Sequence, residues 1–310
     1  MVEMRGALKI RTIVILTVIA IALAAISYWM GQQAYTWLPP QAAAESILVD
    51  NLFSFLVTMG TFIFLGVVGA LTYSVLFQQA GRYDFKDGPP IEGNVTLEII
   101  WTVIPFVLVM WIAVYSYQIY NQMSILGQME YEQLATAESD LRQPLAASTE
   151  PMEQIEVLSR QWAWEFRYPG QNVSSTELHL PNHHRIKLTL KSEDVLHGFY
   201  IPAFRVKQDV IPERLIEFEF TPIRPGKYRL YDSEYSGTYF SAMQADVVVE
   251  SPEAHQKWLA EAQAQTPTAS YNEAFEDYRR ASEKGIRAGW KTIVPAAPPV
   301  VNYSGSNSPA

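Results

Sequence analysis

The sequence predicts transmembrane α-helices followed by an all-β domain on the far side of a membrane. Three observations predict it. Three long uncharged, apolar runs lie within the first 120 residues. From about Ile155 to Glu250 the hydrophobic pattern changes to a period of two. Pro- and Gly-bearing turn signals punctuate that second region at short intervals. Alternating strands so divided form a sandwich or barrel, here of about 100 residues.

The apolar runs are Thr12 to Met30, Leu52 to Phe77 and Ile99 to Tyr120. Each reaches the roughly 20 residues that a helix needs to cross a hydrocarbon core. Orientation follows from Lys and Arg. The N-terminal flank carries Arg5, Lys9 and Arg11, and the second loop carries Arg82 and Lys86 beside Asp84 and Asp87. The first loop, Gly31 to Asn51, has only Glu45 and Asp50. The N-terminus and the Arg82 loop therefore belong in the cytoplasm, and the C-terminal part lies opposite. A basic start before an apolar run also describes a signal peptide. The length of the run and the interfacial pair Tyr28-Trp29 favour a retained helix. The one tempting cleavage region, Gln41-Ala42-Ala43-Ala44, lies well beyond the run.

Residues 121–150 read as a polar connector, part helix and part linker. Strands follow: Ile186, Leu188 and Leu190 alternate with Lys187, Thr189 and Lys191, and Phe218 and Phe220 with Glu217 and Glu219. Tyr228 and Leu230 flank Arg229, and Val247-Val248-Val249 is a short apolar run. Turns fall at Tyr168-Pro169-Gly170, Leu180-Pro181-Asn182 and Arg224-Pro225-Gly226. After Ser251-Pro252, short amphipathic helices are expected over 253–264 and about 271–288. The end from Pro295 is rich in Pro, Ser and Asn and is expected to lack order. The expected division is 1–50 for the first helix and its loop, 51–121 for a membrane hairpin, 122–154 for a linker, 155–251 for the β domain and 252–310 for the tail.

The chain has no cysteine. Disulfides, thiolate metal sites and a lipoprotein anchor are therefore excluded. Residues 121–310 hold 18 Lys and Arg against 25 Asp and Glu, which argues against nucleic acid. No nucleophile–base pair or phosphate-binding loop is visible, so no catalytic residues are expected on this chain.

One stretch, Leu230-Tyr231-Asp232-Ser233-Glu234-Tyr235-Ser236-Gly237-Thr238-Tyr239-Phe240-Ser241-Ala242-Met243, resembles the copper loop of subunit II of the haem-copper terminal oxidases. That family's pattern is Cys-x-Glu-x-Cys-x-x-x-His-x-x-Met, with a further His upstream. Here Asp232 and Ser236 stand at the Cys positions and Phe240 at the loop His; only Glu234, Met243 and the upstream His197 match. Other segments carry the same resemblance: Glu98 with Ile99-Ile100-Trp101-Thr102-Val103-Ile104-Pro105, then Gln161-Trp162-Ala163-Trp164-Glu165-Phe166-Arg167-Tyr168-Pro169, then Ser192-Glu193-Asp194-Val195-Leu196-His197-Gly198-Phe199-Tyr200-Ile201-Pro202. Lys207-Gln208-Asp209-Val210-Ile211-Pro212-Glu213-Arg214 follows, with Glu213 where Gly is usual. The extra first helix and Asp87-Gly88-Pro89-Pro90-Ile91-Glu92-Gly93-Asn94 resemble cyanobacterial-type members, and the lost ligands resemble the copper-less, quinol-type subunit of cyanobacterial alternative respiratory oxidases.

The resemblance implies a Greek-key cupredoxin sandwich after the membrane helices. It implies subunit II of a complex that reduces O2 to water, with haems and copper on subunit I, and with subunit III and membrane lipid as further partners. A dicopper centre needs two soft bridging thiolates; Asp232 and Ser236 are hard and Phe240 is no ligand. No redox-active cofactor is expected on this chain, and quinol is the expected donor. A single copper on His197, Met243 and Asp232 is a weaker alternative to a cavity refilled by polar and aromatic side chains. Two other readings are a cytochrome c oxidase subunit that works without the relay, and a membrane-anchored cupredoxin-like assembly module.

Individual residues carry further expectations from the resemblance. Glu98 matches the mouth of a proton path; alternatively it is a helix N-terminal acid held by the macrodipole. Glu234 matches a ligand of Mg²⁺ shared with subunit I, a metal that prefers hard oxygens. Trp162 matches the entry point for electrons from cytochrome c, which has no acceptor here, so a core or interface aromatic is expected. His179, His183 and His184 are expected on a surface turn. The membrane is a plasma or internal, thylakoid-type respiratory membrane, with the β domain periplasmic or lumenal.

Overall fold

A computed structural model of the chain describes residues 2–79, 93–123, 153–284 and 293–305. It divides into two units: Met1–Leu38 with Asp50–Ile119, and Pro39–Val49 with Tyr120–Ala310.

The first unit is helical. Helices α1 (Val2–Ala34), α2 (Ala44–Phe77) and α3 (Val95–Met123) are the three predicted spans, each long and apolar enough to cross a membrane. They carry most of the large exposed apolar side chains, as lipid-facing surfaces do. α1 meets α2 at Gly31, where any Cβ would collide with the Thr58 hydroxyl and the Ser54 carbonyl. The bare backbone lets Ser54 Oγ donate to the Gly31 carbonyl at 2.8 Å, and Tyr35 Oη reaches Asn51 Oδ1 at 2.8 Å. α3 starts at an Asn94 cap, whose Oδ1 accepts from Leu97 N at 3.2 Å. Arg82 and Lys86 lie outside the described residues.

The second unit is a sandwich of two five-stranded sheets. One runs β3 (Val173–Ser175), β2 (Ala163–Tyr168), β1 (Glu153–Arg160), β5 (Ile186–Ser192), β8 (Ile216–Phe220). The other runs β4 (Leu178–Pro181), β10 (Gln244–Glu250), β9 (Gly226–Asp232), β6 (His197–Ile201), β7 (Val206–Val210). The pairs β1–β5 and β4–β10 are parallel, so the strands cross between sheets as in a Greek key rather than a meander. The alternation in β5 places Ile186, Leu188 and Leu190 in the core, beside Phe218 and Phe220 of the adjacent β8 and in one core cluster with Phe199 and Phe204.

Several expected boundaries move. α2 begins at Ala44, not near residue 51, and residues 39–49, its first turns included, group with the sandwich. Ala42 N donates to Ala203 O at 3.0 Å, Ala44 N to Thr221 O at 2.9 Å, and Ala42 and Ala43 are buried. There Arg185 Nη1 meets Glu45 Oε1 at 2.7 Å, its Nε meets Glu219 Oε2 at 3.2 Å, and Glu45 Oε2 accepts from Thr221 N at 3.1 Å. Most of the expected linker lies outside the described residues.

The expected helices are α4 (Pro252–Gln263), capped by Ser251, and α5 (Glu273–Glu283), capped by Asn272. The disordered tail is a correction. Residues 293–305 run along the sandwich, with β12 (Val300–Val301) pairing β11 (Thr268–Ala269). Tyr303 N donates to Ser174 O at 3.0 Å and its carbonyl accepts from Thr176 N at 3.2 Å. Polar composition there reflects one solvated side; Asn302 and Tyr303 supply the anchors.

Glu213 adopts φ +63°, the left-handed region that a side chain enters at a cost, which is why a Gly suits that position.

Candidate functional site

The loop after β9 and the start of β6 meet at one end of the sandwich. β6 and β9 are antiparallel with Phe199 opposite Asp232, so the register sets His197 beside the departing loop. His197 is fully buried. Its Nδ1 lies 2.9 Å from Asp232 Oδ2 and its Nε2 lies 2.9 Å from Asp194 Oδ1. Asp232 is saturated: Oδ1 accepts from Gly198 N at 2.7 Å and Glu234 N at 3.1 Å, and Oδ2 also accepts from Ser236 Oγ at 2.7 Å. Gln161 closes the circuit, its backbone N donating to Asp194 Oδ2 and its Nε2 to Ser236 O, both at 2.6 Å.

With a carboxylate at each ring nitrogen, the imidazole needs both N–H donors. Burial pushes the His197 pKa down, but the bonds to Asp194 and Asp232 outweigh it and hold it above the ordinary histidine value. Burial pushes Asp194 up, and the bonds from His197, Gln161 N and Val195 N outweigh it and hold it low. The cavity thus holds an ion-paired, hydrogen-bonded chain.

Aromatic side chains fill the rest. Trp164 packs edge-on to His197 at 6.2 Å and its Nε1 donates to Met243 O at 3.3 Å. Met243 is buried, and its carbonyl also accepts from Asp232 N at 3.1 Å. Phe240 packs against Tyr235 at 5.2 Å. Trp162 is 1% exposed, edge-on to Tyr239, and roofed by Gly237, whose φ of +120° and missing Cβ let the backbone sit on the indole. Trp162 precedes β2 rather than alternating with Trp164 along it.

The Glu234 side chain points away from this network, its Oε1 paired with Lys207 Nζ at 2.8 Å. It offers one hard oxygen ligand, and among the described residues no three acidic or His side chains converge on a metal position. The dicopper donor set does not fit these residues: the thiolates are absent, and the oxygens and nitrogens at the ligand positions are spent on one another. Glu98 lies in the other unit, in the first turn of α3, exposed, with its carbonyl accepting from Thr102 Oγ1 at 2.8 Å.

Sequence reasoning missed Asp194 and Gln161. The signal for Asp194 was its position three residues before His197. His179 was also misplaced: it is buried in β4, not on a surface turn, while His183 and His184 occupy the turn itself.

Two family descriptions match the chain: "Cytochrome C oxidase subunit II, transmembrane domain" over residues 27–119, and "Cytochrome C oxidase subunit II, periplasmic domain" over residues 171–251. A relative named cytochrome c oxidase subunit 2 from Synechocystis is 34% identical over 289 residues, covering 85% of this chain and 86% of that one. Another of that name from Thermostichus vulcanus is 32% identical, covering 85% and 89%. A quinol oxidase subunit 2 from Bacillus cereus is 25% identical, covering 76% and 75%.

Proposed function

This chain belongs to the subunit II family of the haem-copper terminal oxidases, and from that premise we propose that its complex takes electrons from quinol, with no redox metal on this chain. As a subunit II it is an integral membrane protein in complex with subunit I, and its β domain lies outside the cytoplasm. The observation that carries the quinol reading is the His197–Asp232–Ser236 network. A soluble donor needs a relay between itself and the haems. Here the relay's ligand positions hold an ion pair that can accept no electron. Quinol dissolves in the bilayer and can reach subunit I without crossing this domain.

The burial of Trp162 weighs against the rival reading, in which a soluble cytochrome docks on this chain. Proton delivery fits Glu98, a carboxylate at the cytoplasmic start of α3. A Mg²⁺ at the boundary with subunit I would be held by Glu234 only if Lys207 swung aside and the partner supplied the remaining ligands. Subunit III and lipid complete the expected assembly.

Metal analysis with electron paramagnetic resonance on the purified complex tests the reading. The expected spectrum has no mixed-valence dicopper signal, and the copper content matches subunit I alone. A dicopper signal assigned to this subunit would overturn it.

A further inference from the structure

A second buried ionic cluster lies at another edge of the sandwich, where α4 and the tail cover β3 and β4. α4 buries His255, Trp258, Leu259 and Ala262, one helical stripe. Trp258 stacks on His179 with ring centroids 3.9 Å apart and planes 5° from parallel, and Tyr303 of the tail packs edge-on to both rings. Three carboxylates face these rings. Glu153 of β1 lies 2.9 Å from His255 Nε2. Glu250 at the end of β10 lies 3.1 Å from His179 Nδ1 and 3.5 Å from His255 Nδ1. Glu177, just before β4, lies 3.4 Å from His179 Nε2. Lys227 of β9 reaches Glu177 at 3.7 Å, and the Tyr168 hydroxyl of β2 bonds the His179 backbone. His255 Nδ1, His179 Nε2 and Trp258 Nε1 make no hydrogen bond among the described residues.

We propose that this cluster is a proton-operated latch: a proton on His255 fastens α4 and the tail to the sandwich, and its loss at alkaline pH releases them. Glu153 and Glu250 converge on one imidazole from two strands, and only a charged ring satisfies both. When it is neutral, three carboxylates crowd a buried space with less positive charge between them, and one ring nitrogen presents a lone pair to a carboxylate. What holds α4 then is its apolar stripe of Trp258, Leu259 and Ala262.

Burial drives the His255 pKa down, but the bond to Glu153 and the nearby carboxylate of Glu250 outweigh it and leave it above the ordinary histidine value. Burial pushes Glu250 up, and the bond to His179 and the nearby imidazole of His255 outweigh it and hold it at about 2. The raised histidine contributes to docking below its unfolded value of 6.5, and that contribution is lost as pH rises through the folded value. The depressed carboxylate contributes above its unfolded value of 4.5 and loses its contribution only as pH falls toward 2. Docking is therefore tightest in mild acid and loosens on the alkaline side. Release would also uncover the turn beside the β9 loop, because Ala296 N bonds Gln161 O at 2.6 Å and Asn272 Nδ2 bonds Trp162 O at 2.9 Å.

Hydrogen exchange followed by mass spectrometry on the full-length protein in detergent, from pH 6 to pH 9 and corrected for intrinsic exchange, tests the latch. Peptides from α4 and from residues 300–303 are expected to lose protection by about tenfold across that range, while β5 and β9 hold theirs. His255→Gln is expected to abolish the pH dependence. Glu153→Gln, which leaves the Trp258 stack intact, is expected to weaken it and serves if His255→Gln does not fold. Wild-type protection that does not change with pH, or an unaltered pH dependence in the variants, would overturn the proposal.

Discussion

Replacing Asp232 with Ala is expected to destabilise the β domain by about 3–5 kcal/mol, the cost of removing one partner from a buried ion pair. The loss falls on four groups at once: His197, Gly198 N, Glu234 N and Ser236 Oγ would all lose their acceptor. Thermal unfolding of the full-length protein in detergent reads this as a fall in Tm of roughly 10 °C. Asp232→Asn keeps the shape and one acceptor oxygen, and so costs less than Ala. The sign of the pH dependence separates charge from packing. His197 has a raised pKa, so its ionic contribution is present below the ordinary value of 6.5 and is lost as pH rises through the folded value. The gap between wild type and Asp232→Asn is therefore widest in mild acid and narrows in alkali. A pH-independent gap would assign the effect to shape alone.

The second large effect is expected at Arg185. Arg185→Met keeps much of the aliphatic stem but strands Glu45 and Glu219, both buried, without their guanidinium. The cost is about 3 kcal/mol, the low end for a broken buried pair, because a fifth of the Arg185 side chain meets solvent. Residues 39–49 would lose their hold on β8, and limited proteolysis near Ala42–Glu45 reads that directly. Fragments no more abundant than in wild type would contradict this account of the segment.

Much of the fold was legible because burial writes a period into sequence. β5 is legible in Ile186, Leu188 and Leu190, and the spans in runs that tolerate no charge. That the loop lacks the family's copper ligands was legible once the resemblance was drawn, since Ser236 and Phe240 cannot do what a thiolate and an imidazole do. What those positions do instead was not. Asp194 and Gln161 act through distances that only the crossing of β6, β9 and the β1–β2 turn creates. The tail failed for the opposite reason. A strand held by a few backbone bonds and one tyrosine carries almost no periodic signal, and Pro, Ser and Asn around it read as disorder. His179 was lost in the same way: three histidines close in sequence suggested one environment, while a strand ending at Pro181 divides them.

Electron-donor preference tests the central claim most directly. With the purified oxidase containing this subunit, oxygen consumption is expected to be rapid with a reduced quinol and negligible with reduced cytochrome c. Rapid oxidation of cytochrome c by a complex that ignores quinols would contradict the account, because electrons would then be crossing a domain whose relay position holds only His197 and its two carboxylates.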